Sequence, residues 1–390
     1  VIPRALASLA AFYFCIYGAF GAILPFLALV LRGRGLSEAA VGGLILWIPA
    51  ASVWAPPVWG WAADRFRIRP VLMRGASLGA AAALSVLAAR PGVLATWLAV
   101  VAFGFFRAPL GSMADAATYA ALGPMGHRYA RVRVWGSIGF VAVAAGLAPQ
   151  VSLEATLWLA VAGHAMAAAV AFGIRMPPAS PSDGQPSVWA RVAATVRRER
   201  LGPLWVGTLL YACASGIYDG YFGLRLEDLG HGPQFVGWAW GLAVTAEVAV
   251  LAAAPRWIRR VDRSAALAVL SGVAAVRWLL LGLLEDPRVL LGSQLLHGLT
   301  FGLWYLVLVQ RFQARAGEGE RTSLQALAAS GMGGGLMVGV GVGGAVYDRW
   351  GSGGAFLLAA GMSLAAGVAY TIESRILAGQ VRRGMETSSA

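Results

Sequence analysis

Apolar runs of about twenty residues follow one another along the whole chain, separated by short polar breaks. A hydrocarbon core about 30 Å thick is crossed by roughly 20 helical residues rising 1.5 Å each. That window predicts twelve spans, near 5–31, 39–61, 70–89, 92–122, 132–149, 152–174, 202–224, 233–255, 265–284, 288–310, 322–346 and 353–375. The runs are continuously apolar and do not alternate with period two, which argues against a closed barrel. Charged residues make up 13% of the 390 residues, about half the ~25% of an ordinary soluble domain. The predicted fold class is an all-α membrane protein of twelve transmembrane helices. The first run is too long for the apolar core of a signal peptide and lacks a small-residue cleavage site, so it reads as the first span.

The formal net charge is +13, a balance that also suits nucleic-acid binders, and placement decides between the two. Every basic residue is Arg. With the N-terminus placed in the cytoplasm, most of them fall in cytoplasmic segments. Arg65, Arg67 and Arg69 form one group, Arg197, Arg198 and Arg200 a second, and Arg256, Arg259 and Arg260 a third. This positive-inside bias predicts a multi-pass inner-membrane protein with both termini cytoplasmic and no nucleic-acid partner. Cys15 and Cys213 both lie in apolar runs, so neither a disulfide framework nor a zinc site is expected.

The one long polar break covers 175–200 and contains the turn-rich stretch 176–184. Six spans precede it and six follow. The predicted organisation is a six-helix bundle over 1–174, a cytoplasmic linker over 175–200, a second bundle over 201–376 and a cytoplasmic tail over 377–390. The halves echo each other: Gly35, Val41 and Gly42 match Gly230, Val236 and Gly237, while Cys15 and Asp64-Arg65 match Cys213 and Asp262-Arg263. After the second span the chain reads Gly60-Trp61-Ala62-Ala63-Asp64-Arg65, then Arg67 and Arg69. This resembles the loop signature of the major facilitator superfamily, a family of transporters built as two six-helix repeats. The resemblance makes Gly60, Asp64, Arg65 and Arg69 a gating motif. An ordinary positive-inside loop is the plainer reading of the same residues. The eleventh span carries Gly331, Gly333, Gly334, Gly335, Gly339, Gly341, Gly343 and Gly344. Each would cost about 1 kcal/mol in a soluble helix, but in a membrane such residues permit close helix contact, either for movement or for tight static packing.

Ionisable side chains deep in a span cost several kcal/mol unless they face a cavity or a partner, so each is a functional candidate. Arg107 and Asp115 lie in the fourth span, with Tyr119 one turn beyond Asp115; Arg133 lies in the fifth, Asp219 in the seventh, Glu247 in the eighth, Arg277 in the ninth and His297 in the tenth. Asp115 and Arg133 fall at similar depth, as a substrate pair or a register-holding ion pair. Glu247, Arg277 and His297 each lie near the midplane, where an acid, a base and an imidazole make a proton relay; for His297 the alternative is a hydrogen-bonded packing residue. His164, alone in the sixth span, reads as structural. Trp47, Trp54, Trp59, Trp135, Trp238, Trp240 and Trp304 serve as cavity lining, interface anchors or packing.

The fourth and fifth spans narrow the family. Arg107-Ala108-Pro109-Leu110-Gly111-Ser112-Met113-Ala114-Asp115 and Arg131-Val132-Arg133-Val134-Trp135-Gly136-Ser137 resemble the phenylpropionate-permease and nucleoside-symporter branch related to lactose permease. Val236-Gly237-Trp238, Ala246-Glu247-Val248, Val276-Arg277 and Leu296-His297-Gly298 agree in the second half. The resemblance implies proton symport, with Asp115 and Arg133 as the acid–arginine pair that engages solute. It further implies that Arg277, His297 and Asp219 belong to the coupling machinery. Two acids of that permease correspond here to Thr300 and Phe222, which leaves Glu247 as first candidate for proton carrier. Arg107 has no counterpart there, and its charge favours an anionic solute.

The expectation is a proton-coupled importer of a small organic solute, an aromatic acid, sugar or nucleoside, working as a monomer in the bilayer. Asp115, Arg133, Arg107, Tyr119 and Tyr218 contact the solute, and Glu247, His297, Arg277 and Asp219 couple protons. No cofactor or metal is expected, and no nucleotide loop or nucleophile–base set points to an enzyme. The rivals are a proton-antiporting exporter of amphipathic compounds and a non-transporting receptor with the same fold.

Overall fold

Helices account for the chain because a hydrocarbon environment demands that every backbone polar group be satisfied within its own segment. The computed structural model describes residues 4–66, 69–174, 196–198, 200–256, 263–315 and 321–388. No strand occurs among them. In chain order the main helices are α1 (Arg4–Ile23), α2 (Leu27–Gly33), α3 (Glu38–Ile45), α4 (Trp47–Phe66), α5 (Arg69–Ala88), α6 (Val93–Arg107), α7 (Leu110–Leu122), α8 (Tyr129–Val141) and α9 (Leu153–Val170). Then follow α10 (Gly202–Asp228), α11 (Pro233–Ala253), α12 (Arg263–Leu283), α13 (Pro287–Gln294), α14 (Trp304–Gln313) and α15 (Arg321–Ser388).

Among the described residues, nine continuous helical stretches are long and apolar enough to cross a membrane. Two of these, Val93–Gln150 and Leu324–Gly379, run 58 and 56 residues, about 85 Å of helix each, and so cross twice. Gly123 and Gly351 turn them back through positive φ values of 50° and 71°, where a side chain would be strained. The 27-residue α10 supplies the remaining crossing, giving the twelve that the sequence predicts. The linker 175–200 falls almost wholly outside the described residues, as do the side chains of Asp64, Arg65 and Arg69.

The internal repeat reappears as local geometry. Gly35 and Gly230, matched between the halves by sequence, have φ of +88° and +82°. Each closes its helix in the same way. Gly35 N–H donates to Arg32 O and Leu36 N–H to Leu31 O; Gly230 N–H donates to Glu227 O and His231 N–H to Leu226 O. This paired closure satisfies carbonyls that a helix end otherwise leaves open.

The described residues gather into two compact units that interleave in sequence. The first comprises Val1–Ser182, Asp219–Thr245 and Val340–Ser352; the second comprises Asp183–Tyr218, Ala246–Gly339 and Gly353–Ala390. Within the first, Arg32 is the hub of a charged network that takes in Glu38, Glu227 and Asp228. Tyr347 donates to the other oxygen of Asp228. Beside it, Arg34 holds Glu154 and the Leu87 carbonyl, with Arg90 3.2 Å from Glu154. Within the second unit the glycines of α15 act through close packing. A Cβ on Gly335 would lie 2.6 Å from Ala212 Cβ, and one on Gly339 would strike the Cys213 carbonyl, so α15 rests directly on the α10 backbone. At the far end of that unit Glu373, 3% exposed, takes ion pairs from both Arg311 (2.9 Å) and Arg315.

Candidate functional site

In the first unit the fourth span breaks between α6 and α7 at Ala108-Pro109, because Pro109 has no N–H to continue the ladder. Arg107 stands at the break, its guanidinium 3.8 Å above the Phe20 ring. Two turns further on, Asp115 Oδ1 accepts from the hydroxyls of Tyr13 (2.6 Å) and Tyr129 (2.8 Å). Thr118 donates to Tyr13 and so orients it (3.3 Å). Arg133 makes no direct ion pair with Asp115 among the described residues. Its guanidinium lies 4.0 Å from the Tyr17 ring centroid and 5.5 Å from that of Tyr13, the tyrosine that binds Asp115. The acid and the base are thus joined through aromatic rings. Cation–π contacts of this kind are worth about 0.5–2 kcal/mol and are released more readily than a buried ion pair. Tyr119 stacks on Tyr129 at 4.6 Å with parallel planes.

Gly136 makes the Arg133 position available. A Cβ there would lie 2.6 Å from Arg133 Nη1 and 2.8 Å from Tyr17 Cδ2, so only glycine lets the guanidinium fold back along α8 onto the ring.

In the second unit Arg277, 1% exposed, is the centre of a polar cluster. Its Nη2 donates to Gln294 Oε1 (2.7 Å), and its Nη1 donates to Thr300 Oγ1 (3.1 Å) and meets His297 Nδ1 at 3.1 Å. Tyr218, also buried, donates to the same Gln294 oxygen (2.8 Å) and offers its ring to Arg277 at 4.3 Å. His297 Nε2 lies 3.8 Å from Glu247 Oε2, so carboxylate, imidazole and guanidinium stand in line. Local backbone brings them together. The tenth span runs as α13, then a π-turn at Gly298–Leu303 immediately after His297, then α14. Such turns frequently sit at functional sites. Gly298 and Gly302, four apart, let α11 approach: a Cβ on the first would be 2.6 Å from Ala246 O, and one on the second 2.8 Å from Glu247 Cγ.

Of the residues singled out by sequence, Glu247, His297 and Arg277 thus converge. Asp115 and Arg133 share one tyrosine-lined group, with Tyr119 at its edge and Arg107 joined to it through the first span. Tyr218 belongs to the Arg277 cluster and not to the Asp115 group, and Asp219 is half-buried on α10. Gly60 is exposed. Of the seven tryptophans, Trp59, Trp240 and Trp304 are buried, whereas Trp47, Trp54, Trp135 and Trp238 are exposed. Sequence reasoning passed over Tyr13, Tyr17, Tyr129 and Gln294. The available signals were the spacing of four between Tyr13 and Tyr17 and of three between Gln294 and His297, each placing two polar groups on one helix face.

A twelve-helix chain with buried charges gathered inside it is a membrane transporter of the major facilitator type. The chain belongs to the MFS_1 like family, whose model matches residues 6–358. It is 29% identical over 355 residues to the maltose permease of Geobacillus stearothermophilus, covering 89% of each chain. To the probable 3-phenylpropionic acid transporter of Escherichia coli K12 it is 28% identical over 358 residues, covering 87% of this chain and 91% of that protein. Among solved structures, a mutant of the nucleoside transporter NupG superposes with a TM-score of 0.86 at 17% identity, over 95% of this chain and 99% of that one. The human organic anion transporter MFSD10 gives 0.69 at 18%, over 94% and 99%.

Proposed function

We propose that this protein is a proton-coupled symporter that imports a small organic solute across the inner membrane, as a monomer with both termini cytoplasmic. In this reading two six-helix bundles, 1–174 and 201–376, alternate access around a central site and are joined by the cytoplasmic linker 175–200. The observation that carries it is the line Glu247–His297–Arg277, an acid and an imidazole held beside a fixed positive charge inside the membrane. Protonation of either would change how that charge is balanced, and so bias the equilibrium between conformations. Asp115, Arg133 and Arg107 take the solute, with Tyr119 as a supplementary group; Tyr218, bonded to Gln294 beside Arg277, goes with the coupling set, as does Asp219. Gly60, Asp64, Arg65 and Arg69 serve the cytoplasmic gate, and the network around Arg32 closes the opposite face. Relatives named for maltose and 3-phenylpropionic acid, and a structural neighbour named for nucleosides, favour a sugar, an aromatic acid or a nucleoside.

The test is proton movement into sealed proteoliposomes carrying an internal pH dye, with arylpropionates, sugars and nucleosides added in turn. Internal acidification is expected with one class, and Glu247→Gln is expected to abolish it while leaving solute exchange measurable. Solute equilibration without proton movement would make the protein a uniporter and remove the coupling assignment.

The tyrosine-lined group gives a second expectation. Gly136→Ala should push the Arg133 guanidinium off Tyr17 and weaken solute binding by about tenfold, the order expected for losing one cation–π contact. Direct binding to purified protein checks this, and unchanged affinity would release Arg133 from the solute site.

A further inference from the structure

Beside the Asp115 group lies a half-open cavity of about 140 Å³, lined by Ile16, Tyr17, Phe20, Arg107, Leu110 and His164 among others. His164 is 1% exposed, and neither of its ring nitrogens has a hydrogen-bond partner among the described residues. The Phe103 ring meets it edge-on at 5.8 Å and offers no acceptor. Buried polar groups are nearly always satisfied, and an orphaned one needs an explanation such as a ligand. Arg107, on the same cavity wall, rests on Phe20 and has no carboxylate beside it among the described residues. A cation and an unpartnered imidazole therefore face one small space bordered by the rings of Tyr17 and Phe20.

We propose that this cavity is an anion subsite that takes the carboxylate of an organic acid, Arg107 supplying the charge and His164 an N–H donor. The neutral imidazole carries one N–H whichever tautomer it adopts, so donation requires no protonation. Size fits the acid end of a ligand and not a whole solute. Solute sites usually measure about 300–1,000 Å³, whereas a cavity of about 150 Å³ accommodates a single benzene ring. Tyr17 is shared with the Arg133 stack, so a solute with its carboxylate here extends along that ring towards Asp115. The assignment rests on the reading of the Asp115–Arg133 group as the solute site. It goes beyond that reading by selecting carboxylates over sugars and nucleosides and by giving His164 a ligand.

The experiment is equilibrium binding of benzoate and 3-phenylpropionate to the full-length protein in nanodiscs, with benzamide as the isosteric neutral probe. Acids are expected to bind at least about tenfold more tightly than the amide, the order of one charge-assisted contact. Arg107→Gln and His164→Leu should each collapse that preference, and His164→Gln, which restores an N–H, should recover most of it. His164→Leu removes an orphaned polar group and should raise the unfolding midpoint of the free protein, so its loss of acid binding will not be mistaken for misfolding. Acid-over-amide preference unchanged in both Arg107→Gln and His164→Leu would overturn the proposal, as would wild-type protein that binds neither acid. If a sugar or nucleoside nevertheless drives proton uptake, the symport reading stands without the subsite. If acids bind through Arg107 and His164 but move no protons, the subsite stands without symport.

Discussion

Arg277→Ala is expected to reduce solute-driven proton movement at least about 100-fold while shifting thermal stability only modestly. The two effects separate because the stability terms oppose each other. Truncation loses the bonds to Gln294 and Thr300, each worth about 1.5–3 kcal/mol for a charged donor. It also removes a cation whose desolvation at 1% exposure costs several kcal/mol. With the cavity left by truncation, the net change is a small difference between larger opposing terms, on the order of a few kcal/mol. In the proposed symport nothing offsets the functional loss, because there the guanidinium is the fixed charge against which His297 and Glu247 are set. Arg277→Lys should retain part of the coupling, since an ammonium keeps the charge but lacks the planar fork that reaches Gln294 and Thr300 together. Proton uptake in proteoliposomes and thermal unfolding of the same preparations check both halves of the expectation. If uptake and unfolding midpoint fall together, Arg277 is a brace and the relay must be sought elsewhere.

What the sequence made legible follows from which physical quantity each feature depends on. The number of spans depends on length, and length is written in the chain: about 20 apolar residues per crossing allow few alternatives. Even so, at Gly351 helical residues run up to and past the turn and only its positive φ marks where two crossings meet, whereas at Gly123 the short 3-10 segment Gly123–Arg128 separates α7 from α8. Depth within a span is also legible at 1.5 Å per residue, so Glu247, Arg277 and His297 read at one level and are found in contact. Azimuth around the helix is not. The link from Asp115 to Arg133 runs through Tyr13 and Tyr17, and a buried tyrosine with a partner for its hydroxyl leaves little mark on a hydropathy reading. His164 reads as an isolated packing residue, because its relation to Arg107 depends on how the first, fourth and sixth spans close around a cavity. Close helix approach is written in the glycines, yet which helix each one admits is not: Gly302 makes room for Glu247, and Gly339 for the α10 backbone.

The second buried charge cluster should behave in the opposite way. Glu373→Ala is expected to destabilise the protein by about 3–5 kcal/mol, the cost of breaking a buried pair from one side, with little effect on transport per folded molecule. Glu373 is the carboxylate that both Arg311 and Arg315 engage, and all three side chains are largely buried. Its removal leaves two guanidinium groups facing each other where water is scarce, so repulsion adds to the lost attraction. The charge-assisted bonds are also the stronger sort, so amide replacement is informative: Glu373→Gln keeps the geometry without the charge and should cost roughly half as much. The contrast with Arg277 is physical. There the bonds to Gln294 and Thr300 end on neutral dipoles, so removing the cation also removes its desolvation cost and leaves neither partner charged, whereas here the anion balances two cations. Thermal unfolding in detergent reads the loss directly, and transport normalised to folded protein reads the remainder. A Glu373→Ala protein of wild-type stability would mean that the two arginines find other acceptors at that end of the bundle, and a stable but inactive one would place Glu373 in the transport cycle.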